Sequence, residues 1–147
     1  MELLLVERYL HEHIPLTGSM GVSVDRYDGT SVTLSAPLTP NLNHRNTMFG
    51  GSISTLGIIA GWTLLHIKTQ ELQINARLVI QKSNTDFVAP AKTGCVAVCS
   101  LPTVDVWRRF DGALRRRKLS RVDLFAEIFA SNSLVGRHHG SYVAIQN

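Results

Sequence analysis

Apolar residues recur at helical spacing over residues 2–13, where Leu3, Val6 and Leu10, flanked by Leu5 and Tyr9, form one stripe. Pro15 is expected to end this helix. The period then shortens to two. Val22 and Val24, and after them Val32, Leu34 and Ala36, alternate with polar residues, and Asp28-Gly29 between them reads as a hairpin turn. Pro37 and Pro40 bound a loop. From about Gly50 to His66 the chain is apolar nearly all round, as in a helix buried on every side. Asn46 or Thr47 is placed to cap it. Gly57 and Gly61 give this helix a small-residue face that lets a sheet pack closely, offsetting roughly 1 kcal/mol of helix propensity lost at each glycine. Leu72, Ile74, Ala76, Leu78 and Ile80 return to strand alternation, which runs on to Phe87-Val88-Ala89-Pro90. Val96 to Leu101 is apolar on both faces, predicting a central strand. Asp111-Gly112 reads as a turn, 124–130 as a strand, Asn132-Ser133 as a turn and 134–145 as a last strand. Turn-linked strands pair antiparallel. Five or six of them with one buried helix predict an α+β protein, a long curved sheet wrapped around a central helix.

Composition narrows this picture. A chain of 147 residues, 44% hydrophobic, fits one domain over 1–147 and excludes a disordered polymer. The N-terminus is acidic early and shows no signal-peptide cleavage site. The apolar run Ile53 to Ile67 falls short of the roughly 20 residues that cross a bilayer. The expectation is a cytoplasmic protein with no membrane partner. Cys95 and Cys99, four apart on a strand, share a face and stand too far apart to bridge, so both are expected as buried thiols. His11 and His13 are wrongly spaced for one helix face, and His138 and His139 point to opposite sides of a strand. No metal site and no cofactor are expected.

The segment Asn43-His44-Arg45-Asn46-Thr47-Met48-Phe49-Gly50-Gly51-Ser52 carries the candidate chemistry. Amides at a helix start lack intrahelical partners, and the helix dipole adds partial positive charge there. Such a site holds a phosphate or a developing oxyanion, and paired glycines let a ligand approach the backbone. The plain alternative is a loop leading into a glycine-softened helix.

These residues carry a resemblance. Hairpin, Asn-containing loop, Gly-Gly, long helix, then a long strand ending in Phe87-Val88-Ala89-Pro90 resembles the hotdog fold. Ala36-Pro37-Leu38-Thr39-Pro40-Asn41-Leu42-Asn43, followed by Thr47-Met48-Phe49-x-Gly51-Ser52-Ile53, resembles the thioesterase family known as the YiiD C-terminal domain. The resemblance implies a homodimer or dimer of dimers, with two sheets joined edge to edge and sites at the subunit interface. It implies an acyl thioester on coenzyme A or acyl carrier protein, its carbonyl polarised by the N–H of Gly51, with Gly50, and Asn43 holding the thioester or the attacking water. His44, Thr47, Met48, Phe49, Ser52, Thr55, Asp86 and Phe87 are the further substrate-binding candidates. Many hotdog thioesterases carry a helix carboxylate where this chain has Ile58, so a non-catalytic acyl-binding or regulatory module is the second reading. A dehydratase is the third, for which no histidine–acid pair stands out.

Residues 108–121 hold seven basic residues against Asp111 alone, more than the whole chain's +4, so the remainder is net negative. Arg115, Arg116 and Arg117, with Lys118, read first as a solvated hairpin tip. The second reading is contact with coenzyme A phosphates or with an acidic carrier protein. Nucleic acid ranks last, since only Trp107 and Phe110 interleave and no motif appears.

Overall fold

A computed structural model describes residues 2–147. Six antiparallel strands form one sheet in the order β1-β2-β4-β5-β6-β3, curved around one long helix. The strands are β1 (Ser23–Tyr27), β2 (Ser31–Ala36), β3 (Ala76–Phe87), β4 (Cys95–Ser100), β5 (Leu119–Ala130) and β6 (Ser133–Gln146). The helices are α1 (Leu3–His13), α2 (Pro15–Met20), α3 (Gly50–Glu71) and α4 (Val104–Arg117).

Helix α3 is the spine. It buries Ile53, Leu56, Ile59, Leu64, Leu65 and Ile67 against the sheet. The small-residue face behaves as its spacing predicts. A side chain at Gly57 would press on His138, and one at Gly61 would run into the Tyr142 hydroxyl. These contacts serve a buried polar link. Tyr142 Oη donates to the Ile58 carbonyl at 2.9 Å, so the His138 Nε2–H donates to Tyr142 Oη at 2.8 Å. His138 Nδ1 is then a bare acceptor, buried with no partner among the described residues. Gly61→Val is expected to cost about 2 kcal/mol through overpacking alone. A urea midpoint unchanged from wild type would show the helix standing off the sheet.

Several elements differ from the sequence expectation. Pro15 does not simply end α1; it starts α2, which closes on Gly21 in the left-handed conformation (φ 73°). Asp111-Gly112 is no turn but lies inside α4, whose Val106, Phe110 and Leu114 recur at i, i+4 and i+8 toward the protein. The basic cluster is therefore the last turn of a helix, not a hairpin tip, and its charge complements the helix dipole. Helix α3 runs to Glu71, 22 residues in all, long and apolar enough by composition to span a bilayer, yet most of it is packed against the sheet. Strand β4 is interior in the sheet, but only Cys95, Ala97 and Cys99 are buried, while Val96 and Val98 face outward, partly open. Both thiols are unbridged, and burial pushes them up to about 11 for Cys95 and about 12 for Cys99.

Strand β3 carries a register shift between Ile80 and Lys82. An extra residue switches the alternation. Leu78 and Ile80 lie on the helix side before it, and Phe87, of opposite parity, returns to that side after it.

Candidate active site at the start of the central helix

The loop entering α3 is tied down by its own backbone. Met48 N–H donates to the Ala91 carbonyl and Phe49 N–H to the Asn41 carbonyl, each at 2.8 Å. The Asn41 side chain, buried, in turn donates to Met20 and Pro37 carbonyls. Asn43 organises the tip. Its Oδ1 accepts from the amides of Arg45 (2.8 Å) and Thr47 (3.1 Å), and its Nδ2 donates to Thr47 Oγ1 (2.8 Å). Asn46 closes the turn at φ 61°, a conformation asparagine tolerates.

Neither Asn46 nor Thr47 caps the helix. The cap is Phe49, with no side-chain acceptor. The Phe49 carbonyl takes the amides of Ser52 (2.9 Å) and Ile53 (3.2 Å). The amides of Gly50 and Gly51 are left over, and among the described residues neither has a protein acceptor. Two aromatic rings frame them. The Phe49 ring occupies the space a Gly51 side chain would need, and the Phe87 ring sits about 3.3 Å from where a Gly50 Cβ would stand. Both rings are 57% exposed. A side chain at either position would press on one of these exposed rings. Glycine at both leaves a notch with two oriented donors at the positive end of a six-turn helix.

The other candidates are distributed unevenly. Thr47 is half-buried within the Asn43 turn, and His44 is exposed on it. Met48 is buried in the core. Ser52 is partly open in the first turn, and Thr55 Oγ1 donates back to the Gly51 carbonyl at 2.8 Å. Asp86 is exposed on β3, on the opposite face from the Phe87 ring that touches Gly50. Ile58 is half-buried on the outward stripe of α3 with Thr55 and Trp62, and the Trp62 indole donates to the Leu78 carbonyl at 3.0 Å. Trp62 also stacks into a surface ladder with Tyr9, His66 and His13, which the sequence reading missed because its members sit on two helices distant in sequence.

The basic cluster separates into different roles. Arg115 pairs with Asp111 at 2.8 Å, and the Arg116 guanidinium lies back over Gly112. Arg117 alone of the three lines a groove of about 390 Å³ between α4 and β5, together with Arg109 and Arg121, which the sequence reading did not single out for binding.

A family described as "Putative thioesterase (yiiD_Cterm)" matches residues 4–146. The chain belongs to this family. Its fold is the hotdog fold. A protein of unknown function from Chlorobaculum tepidum superposes with a TM-score of 0.92 at 28% identity, over 97% of this chain and 93% of the other. A protein from Shewanella oneidensis, described as a "putative thioesterase", gives 0.89 at 25% identity, over 97% and 96%. A Pseudomonas aeruginosa protein, 18% identical with a TM-score of 0.85 over 100% and 97%, shares the fold.

Proposed function

We propose that this chain hydrolyses an acyl thioester, carried on coenzyme A or an acyl carrier protein, at a site shared between two copies of itself. The observation that carries the reading is the pair of unused amides at Gly50 and Gly51, open between Phe49 and Phe87. The Gly51 N–H, aided by Gly50, takes the carbonyl oxygen. Water adds to the carbonyl carbon, the oxyanion forms against the amides, and its collapse expels the thiolate, which leaves as thiol with the proton from water. One oriented donor of this kind is worth about 10² to 10³ in rate.

Asn43 acts on this chemistry through the loop, because its carbonyl oxygen is spent on the Arg45 and Thr47 amides. It is a positioning residue in this account. Asn43→Ala is expected to lower kcat/KM for thioester hydrolysis about tenfold or more, read as thiol release across a panel of acyl chain lengths. Unaltered turnover would remove the role.

A second copy supplies the missing wall. Strand β3 is twelve residues long, lies at the sheet edge, and pairs only with β6. It has no internal proline, and Val79 and Phe87 along it, with Val88 just past its end, are about half exposed. A long open edge of this kind is a template for another strand, and a two-fold axis pairs β3 with its own copy antiparallel. The partner then covers the open side of the notch and the outward stripe of Ile58 and Trp62, giving the acyl chain an apolar lining.

One observation favours a second reading. Ile58 stands where the family resemblance places a carboxylate, and Asp86 points to the other face of β3. A chain that binds acyl thioesters without cleaving them fits that arrangement. Saturable binding of an acyl-CoA in calorimetry, with no thiol released over hours, would favour it over the hydrolase.

A further inference from the structure

The groove between α4 and β5 presents an unusual combination of groups. Arg109, Arg117 and Arg121 line it together with the buried Ser120, and Phe110 and Leu119 supply apolar wall. None of the three arginines has a carboxylate within 4.0 Å among the described residues, whereas the neighbouring Arg115 does. Arg121 does feel Asp123, two residues along β5, whose carboxyl it helps hold below the usual range after the larger effects of His139 and Ser141. Guanidinium forks match phosphate oxygens in shape and charge, and the apolar wall suits the flat base of a nucleotide.

Within one chain this groove is remote from the helix start. Gly50 touches Phe87, which pairs across β6 Gly136 to β5 Ile128. Arg121 lies seven residues away along β5, about 23 Å at 3.3 Å per residue. A second copy changes the distance. In the dimer proposed above, a two-fold axis through the middle of β3 would set Phe87 against the partner's Ala76 and Asn84 against the partner's Val79. Val79 is aligned through Val143 with Arg121, so the backbone at the partner's Arg121 would lie three strand spacings, about 14 Å, from Asn84, which is itself three residues, about 10 Å, from Phe87. Measured to Phe87, the partner's Arg121 is then about 17 Å away and the chain's own, two spacings across and seven residues along, about 25 Å.

We propose that the α4–β5 groove binds the phosphates and base of a coenzyme A-type carrier whose acyl end lies at Gly50 and Gly51 of the other protomer. The proposal rests on the thioester reading and adds to it the carrier and the subunit that holds it. It also replaces Arg115 and Arg116 as phosphate contacts with Arg109 and Arg121, keeping Arg117.

The test compares an acyl-CoA with the same acyl group on pantetheine, in wild type and in the Arg117→Gln/Arg121→Gln double variant. The expected result is a KM for acyl-CoA raised at least tenfold, kcat within twofold, and pantetheine-thioester kinetics unchanged. Adenosine 3′,5′-bisphosphate should inhibit wild type competitively and lose that effect in the variant. Equal changes for both substrates, or no change for either, would overturn the proposal. So would a shift confined to carrier-protein thioesters, which would make the groove a protein-docking surface. Mixed dimers decide the subunit. The groove variant combined with a Gly51→Pro chain should regain sites of wild-type KM, because the intact notch of one chain then faces the intact groove of the other. No recovery in verified heterodimers would place groove and notch on the same chain and overturn the shared arrangement. Failure of the hydrolase reading looks different: wild type would release no thiol from either substrate, while calorimetry would still show the bisphosphate binding wild type and not the variant.

Discussion

Gly51→Pro is expected to lower kcat for thioester hydrolysis by about 10² to 10³, with KM changed little. Proline deletes the leading one of the two amides to which the account assigns oxyanion stabilisation. It breaks no helix hydrogen bond, because the Gly51 amide has no protein acceptor and proline is tolerated in a first helical turn; like alanine, it pushes on the exposed Phe49 ring. Gly51→Ala is the companion variant. It keeps the N–H and pushes on the exposed Phe49 ring, so it should retain most activity. Circular dichroism on both variants separates a lost donor from a lost fold. Equal activity in the proline and alanine variants would remove the Gly51 amide from the mechanism.

The second large effect is on stability in acid. His138 is buried beneath Gly57, and burial, followed by the nearby His139, lowers its pKa to about 4 from an ordinary value of 6.5. In the unfolded chain it takes up a proton near pH 6.5, while in the fold it resists until about pH 4. The unfolded state therefore binds more protons in that window, so stability is full above pH 6.5 and falls as the pH drops toward 4. The loss is on the order of 3 kcal/mol. His66, lowered by burial and then by His13, acts in the same direction. Asp123 and Glu71 are also held low and lose their contribution on acidification, but below the ordinary carboxylate range. Urea titrations across pH 7 to 4 should show this slope in wild type and a flatter one in His138→Gln. A wild-type stability constant from pH 7 to 4.5 would mean that water reaches His138 or that the ring is charged in the fold.

The sequence carried the architecture because the largest features obey a single period. Apolar positions surround α3 on all sides, Gly57 and Gly61 mark its contact with β6, and the turn at Asp28-Gly29 fixes the first hairpin. What it concealed arose where two local signals compete. Asp111-Gly112 outweighed the i, i+4, i+8 spacing of Val106, Phe110 and Leu114, although Thr103 ahead of Asp105 was a readable helix start. Pro15 reads as a stop, yet the first helical position is where proline fits best, and that is where it stands in α2. The bulge after Ile80 adds a residue to β3, so Phe87 shares a face with Leu78 against the parity of the sequence. The glycine notch was legible from helix-end physics. The groove was not, because Arg109 and Arg117 come together with Arg121 only once α4 folds against β5.

The most direct test of the account is the stretching frequency of an isotope-labelled carbonyl in a bound, uncleavable ketone analogue of the thioester, measured by difference infrared spectroscopy in wild type and in Gly51→Pro. Two amides directed at that oxygen should weaken the bond and lower its frequency in wild type relative to water, with the lowering clearly reduced in the variant, where only the Gly50 amide remains. A frequency identical in both proteins would contradict the claim that the start of α3 polarises the acyl group.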